Sequence, residues 1–141
     1  MIAFKLSATT HAPVEKVFSV VADPKRIPQW RTDVPGIGQV SGETKAGTTF
    51  VEEVHFLGAN QLLMKVMEYR PNEKLVFQAQ SGMPVLPTQT FHFSPDGNGT
   101  TIDLSVVMKT SGFLTMMELM LPALKKVWKK YFINLDTVVD K

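Results

Sequence analysis

The sequence predicts an α+β fold: a curved antiparallel sheet of about seven strands wrapped around a long C-terminal helix. Two short helices are expected after the first strand. Three observations carry this reading. Residues 113–141 hold an apolar stripe with the 3.6-residue period of a helix. The residues before them break into short alternating segments spaced by about ten positions, the rhythm of an antiparallel meander. A sheet of that size with one apolar face must be covered, and the C-terminal segment alone is long enough to cover it, roughly 40 Å at 1.5 Å per residue.

Taken in order, Ile2, Phe4, Leu6 and Ala8 alternate with Ala3, Lys5, Ser7 and Thr9, which is a strand with one buried face. His11-Ala12-Pro13 opens a helix, with proline where its missing N–H costs nothing. Val14, Val17, Phe18 and Val21 give that helix a single apolar stripe. Asp23-Pro24 ends it, and residues 24–30 form another short helical turn, closed by Ile27-Pro28 and anchored by Trp30. Residues 37–43 form a weak edge strand. Stronger strands follow over 48–57, 61–69 and 74–80, with turns at Gly58-Ala59-Asn60 and Arg70-Pro71-Asn72-Glu73. Residues 81–87, with two prolines, are expected as a loop. Strand 88–94 and the turn Pro95-Asp96-Gly97-Asn98-Gly99 lead into 101–110, where Ile102, Leu104, Val106 and Met108 share one face.

On the C-terminal helix Phe113, Leu114, Met117, Met120, Leu121, Leu124, Val127, Trp128, Tyr131, Leu135, Val138 and Val139 lie on one side. Lys125, Lys126, Lys129 and Lys130 lie on the other, where Leu119 and Ile133 are isolated apolar residues that mark a candidate homodimer contact. Pro122 removes an internal hydrogen bond and should kink the helix.

The totals fit one ordinary domain spanning residues 1–141. The composition is 44% hydrophobic and 20% charged, with mean hydropathy +0.02, which excludes a disordered chain. A net charge of +2 with dispersed basic residues argues against nucleic acid as a partner. Cysteine is absent, so there is no thiol nucleophile and no cysteine-based metal site. The N-terminus lacks the apolar core of a signal peptide, and no stretch approaches the ~18 apolar residues of a membrane span. A cytoplasmic protein without stable membrane insertion is expected.

The order of elements and several residue runs resemble the START-like superfamily. The runs are Ala12-Pro13-Val14-Glu15-Lys16-Val17-Phe18, Asp23-Pro24 with Trp30, Glu68-Tyr69-Arg70-Pro71 before Leu75-Val76-Phe77, and Gly97-Asn98-Gly99-Thr100-Thr101. The chain looks most similar to the small bacterial members with polyketide cyclase/dehydrase-like names. The resemblance implies a helix-grip fold with a cavity between sheet and helix, and it implies a fold more than an activity. No catalytic motif of the aromatic polyketide cyclases matches residue by residue, so none is carried over.

Glu52 is the residue with the most chemical interest. If Phe50, Val54 and Phe56 face inward, alternation brings Glu52 inward with them. A carboxyl group there is desolvated and available as a general acid or a ligand anchor. In the opposite register Val51 and His55 are buried instead, and Glu52 points to water. His11, His55 and His92 are all expected at the surface. They form no ligand spacing, so neither a metal nor a cofactor is expected.

Eight methionines are many for this length. Met116, Met117 and Met120 gather on the first half of the long helix, and Met64, Met67, Met83 and Met108 are placed to face it. Methionine adapts to irregular shapes and equally fills ordinary cores. The leading expectation is binding of a small hydrophobic or amphipathic molecule. Its lining would come from Trp30, Phe50, Val54, Met64, Phe77, Met108, Phe113, Met117, Met120 and Leu121, with Glu52 as polar anchor. The alternative is a cyclase- or dehydratase-type enzyme using Glu52 in acid–base chemistry. A third reading is an interaction protein with a collapsed cavity. Binding predicts an apolar cavity of at least ~300 Å³ with few polar groups. Catalysis predicts convergent polar groups, one with a perturbed pKa.

Overall fold

Alternation in sequence becomes alternation in space. The computed structural model describes residues 2–55, 59–110 and 114–139, with side chains over 3–55, 60–109 and 119–139. Seven strands form one antiparallel sheet in the order β1-β7-β6-β5-β4-β3-β2. They are β1 (Ile2–Thr10), β2 (Gly36–Gly38), β3 (Thr49–His55), β4 (Ala59–Arg70), β5 (Lys74–Ser81), β6 (Val85–Asp96) and β7 (Gly99–Thr110). Helices α1 (Val14–Val21) and α2 (Ile27–Trp30) follow β1, joined by a 3₁₀ turn, and α3 (Leu114–Val139) closes the chain. This is the expected architecture.

The sheet bends where its register breaks. β4 and β5 slip between Leu63 and Met64 and again between Val66 and Glu68. Each slip inserts a residue into one strand and tightens the local twist. Met67 falls in the second slip and is 45% exposed, which corrects the expectation that it faces the helix. On the inner face Phe18, Phe93, Phe91, Phe77 and Phe50 form a chain of ring contacts with centroids 5.2–6.3 Å apart. Phe91 then hands the chain on to Trp128 of α3 at 6.3 Å.

Three local expectations are corrected. Ile27-Pro28 begins α2 and does not close the preceding turn, because proline occupies a first-turn position where no N–H is needed. The edge strand is confined to Gly36–Gly38. Gln39, with φ 51°, and Gly42, with φ 85°, then turn the chain away. The expected loop over 81–87 shrinks, since Val85, Leu86 and Pro87 pair with Thr110, Lys109 and Met108. Proline is tolerated there because β5 pairs with β6 only as far as Gln78–Thr88, leaving Pro87 with one bonded neighbour. Gly82 completes the turn at φ 120°, and a Cβ there would sit 2.0 Å from the Gln61 carbonyl oxygen. Only glycine fits that approach.

α3 packs along β1 and α2. Trp128, Tyr131, Phe132, Leu135 and Val139 are buried, while Lys125, Lys126, Lys129 and Lys130 are exposed. Val127, expected on the buried side, is 39% exposed, and Leu119 and Ile133 stand out at 79% and 67%. Pro122 lies within the helix. Asp136 near its end accepts a hydrogen bond from the His11 backbone N–H at 2.8 Å and meets its ring Nδ1 at 2.7 Å. His11 is therefore exposed, as expected, and also tied to α3. The buried Thr100 hydroxyl donates to the Ala12 carbonyl at 2.8 Å. Together these contacts fix the β1–α1 corner against both the helix and β7. Among the described residues no helix is long and apolar enough to cross a membrane.

Candidate functional site

β3 places the site's central carboxyl. Phe50, Glu52 and Val54 are buried while Glu53 and His55 are exposed, so the register is the one that turns Glu52 inward. Its side chain sits opposite Leu62 on β4 and Ile37 on β2. Neither neighbour offers a hydrogen bond. Among the described residues both carboxyl oxygens of Glu52 lack a hydrogen-bond partner, and the residue is 0% exposed.

The partner charges come from the turn after α2. The Arg31 N–H closes α2 onto the Ile27 carbonyl at 2.9 Å, and the His55 N–H donates to the Asp33 carbonyl at 2.9 Å. The Asn134 amide of α3 donates to the Trp30 carbonyl at 3.3 Å. This turn is thus fastened to both β3 and α3, and it carries Arg31 into the interior. The guanidinium donates to Asp33 through Nε at 3.3 Å and Nη2 at 2.9 Å, and its Nη1 lies 3.6 Å from Glu52 Oε2. That last distance is an ion-pair contact too long for a hydrogen bond. The guanidinium carbon also lies 4.8 Å from the Trp128 ring centre and 5.9 Å from that of Tyr131, a cation–π platform on α3.

The protonation states follow from burial and neighbours. Burial raises the pKa of Glu52, Arg31 opposes that rise, and Asp33 adds to it. Burial works against the charge on Arg31, but Asp33 and Glu52 outweigh it and hold the guanidinium protonated. Burial, with Asp33 beside it, holds the Tyr131 phenol above its ordinary range. With Arg31 matched by Asp33, a protonated Glu52 leaves the cluster neutral.

These groups form one end of a cavity of about 80 Å³. Arg31, Asp33, Glu52 and Gln89 supply its polar wall. Phe4, Val54, Leu62, Met83, Val85, Pro87, Val106, Met108, Leu124 and Trp128 supply the apolar one. The volume is well below the ~300 Å³ expected of a ligand pocket. Its polar wall is also richer than a purely apolar binding site calls for. Gln89 is buried and its Oε1 has no partner, as with Glu52. Met83, Val85 and Pro87 line the cavity where β5 and β6 part after Gln78–Thr88.

Of the residues expected to line a ligand site, Glu52, Val54 and Met108 lie in the wall of this cavity. Trp30, Phe50, Met64 and Phe77 are buried in the surrounding core, and Met120 and Leu121 pack partly buried against it. Phe113 and the side chains of Met116 and Met117 lie outside the described residues, as does Phe56. Sequence reasoning missed Arg31, Asp33 and Gln89. Gln89 shares the parity of Phe91 and Phe93, so the signal for it was present. Among the described residues no group of three or more potential ligands could hold a metal ion.

The acid in this site makes a pH prediction. The folded state holds the Glu52 proton more tightly than the unfolded chain does. The contribution of Glu52 to stability is therefore greatest below the ordinary carboxyl range of ~4.3 and is lost as pH rises through the elevated folded value. Glu52→Gln removes that loss. The stability of Glu52→Gln relative to the parent, read from urea midpoints, is expected to grow between about pH 4.5 and 8. The growth should be about 1.4 kcal/mol for each unit by which the pKa is raised. A difference that stays flat or shrinks with pH contradicts this assignment.

Comparison with known proteins decides the family. A model of the family described as polyketide cyclase/dehydrase and lipid transport matches residues 1–139. The chain belongs to this family. Protein TTHA0849 from Thermus thermophilus superposes with a TM-score of 0.81 at 17% identity, covering 98% of this chain and 97% of that one. A START superfamily protein from Mycobacterium smegmatis gives 0.76 at 17% identity, covering 98% and 97%. CalU16 from Micromonospora echinospora gives 0.66 at 20% identity, covering 97% and 75%. At these identities the likeness establishes the helix-grip fold of this polyketide cyclase/dehydrase-type domain. No curated protein matches the chain.

Proposed function

We propose that the protein binds a small amphipathic molecule between sheet and α3, with Glu52 as the polar anchor. One observation carries this reading. A fully buried carboxyl group with neither oxygen hydrogen-bonded faces a cavity whose remaining wall is mainly apolar. Such a group costs free energy until something bonds to it. A ligand that brings an apolar body and one polar group satisfies both walls at once. About 80 Å³ takes the polar head of a longer molecule, since a cavity that holds a benzene ring measures roughly 150 Å³. A larger body has to displace Met83 and Leu124, both only partly buried.

A second reading rests on the same residue. Glu52, with its raised pKa, lies beside Arg31 and shares the cavity with Asp33 and Gln89. Convergent polar groups with one displaced pKa are what acid–base catalysis requires. In that reading Glu52 donates or accepts the proton and Arg31 stabilises the negative charge that develops. Native mass spectrometry of protein purified from its own host tests the binding reading. A co-purifying small molecule that Glu52→Leu loses supports it. An empty protein, or equal retention by Glu52→Leu, removes Glu52 as anchor.

A further inference from the structure

Given the binding reading above, on which this inference rests, the charge balance of the cavity narrows its occupant. The described lining holds one cation, Arg31, and two acids, Asp33 and Glu52. Asp33 already holds the guanidinium by two hydrogen bonds, and Trp128 lies against it. Glu52 is a further acid 3.6 Å away. A ligand carboxylate would be a third acid against one guanidinium, in a site where charge is poorly solvated.

The cavity lacks hydrogen bonds, not charge. Among the described residues both Glu52 oxygens and Gln89 Oε1 are without hydrogen-bond partners. Oxygen acceptors are satisfied by an O–H donor, and a hydroxyl can also accept from a protonated Glu52.

We infer that the cavity selects ligands whose polar group is an uncharged hydroxyl, and that Asp33, by neutralising Arg31, is the residue that turns carboxylates away. Benzyl alcohol and benzoate share one ring and differ in the polar group, so the displacement of Met83 and Leu124 that the ring requires is common to both. In amide chemical-shift titrations at about pH 7.5 the alcohol is expected to bind at least tenfold more tightly. Benzoate binding as tightly as the alcohol overturns the inference and leaves the cavity a binding site. Binding of neither probe overturns the binding reading itself. In Asp33→Asn the guanidinium loses its fixed counter-charge, and benzoate should gain about tenfold relative to the alcohol. Should that variant not fold, Asp33→Ser gives the same comparison. An unchanged ratio in the folded variant removes Asp33 as the selecting residue.

Discussion

Replacing Arg31 by methionine is expected to destabilise the protein by roughly 3–5 kcal/mol at neutral pH. The guanidinium is the cation that Asp33 and Glu52 share inside the domain, and its side chain is 6% exposed. Methionine keeps much of the volume and the contact with Trp128 but leaves the half-buried Asp33 and the buried Glu52 without their cation. Removing one partner of a buried ion pair costs more than removing both, because the survivor stays desolvated. Arg31→Met with Asp33→Asn should therefore recover much of the loss, a coupling that a double-mutant cycle in urea measures. If Arg31→Met alone shifts stability by less than about 1 kcal/mol, the cluster is solvated and this description of it is wrong.

Trp128→Ala is the second large effect, again on the order of 3–5 kcal/mol. Its ring meets Trp30 at 6.2 Å, Phe91 at 6.3 Å, Tyr131 at 5.3 Å and Phe132 at 6.0 Å. It also carries the Arg31 guanidinium and lines the cavity. Truncation therefore opens a void between α3, α2 and β6 and frees Arg31 from its platform. Trp128→Phe should lose far less, since a smaller ring still fills most of the space. Guanidinium unfolding midpoints separate the two variants. Equal losses would mean that the indole's edge, and not ring volume, holds the contact.

The legible parts of this molecule were those with a period. β3 offered the inward turn of Glu52 as one of two registers, the one in which Phe50 and Val54 share its parity, and α3 announced its buried face through Trp128, Tyr131 and Leu135. Phe132 was left unassigned by the helical pattern, although it sits four residues after Trp128. Arg31 and Asp33 lie in a turn between a four-residue helix and a three-residue edge strand. No periodicity reaches there. Their burial is decided by tertiary bonds, from the His55 N–H to Asp33 and from Asn134 to Trp30. A chemical signal existed nonetheless: an inward carboxyl calls for a cation, and Arg31 stands directly after the anchoring Trp30. The prolines misled in the other direction. Pro84 and Pro87 suggested a loop, whereas Pro87 is strand where β6 has a bonded neighbour on one side only. The cavity's modest volume was not legible at all, because it depends on how Leu124 and Met83 close over the polar wall.

The central claim is that Glu52 is a buried acid without a hydrogen bond, placed to meet a ligand's polar group. Carbon-detected NMR of its side-chain carboxyl, titrated with pH in the free protein and with benzyl alcohol present, tests it most directly. A midpoint above the ordinary ~4.3 of a glutamate that moves when the alcohol binds is the expected result. A midpoint at or below that value, unmoved by ligand, would mean that Glu52 is an ordinary solvated or salt-bridged carboxylate, and the site described here would not exist.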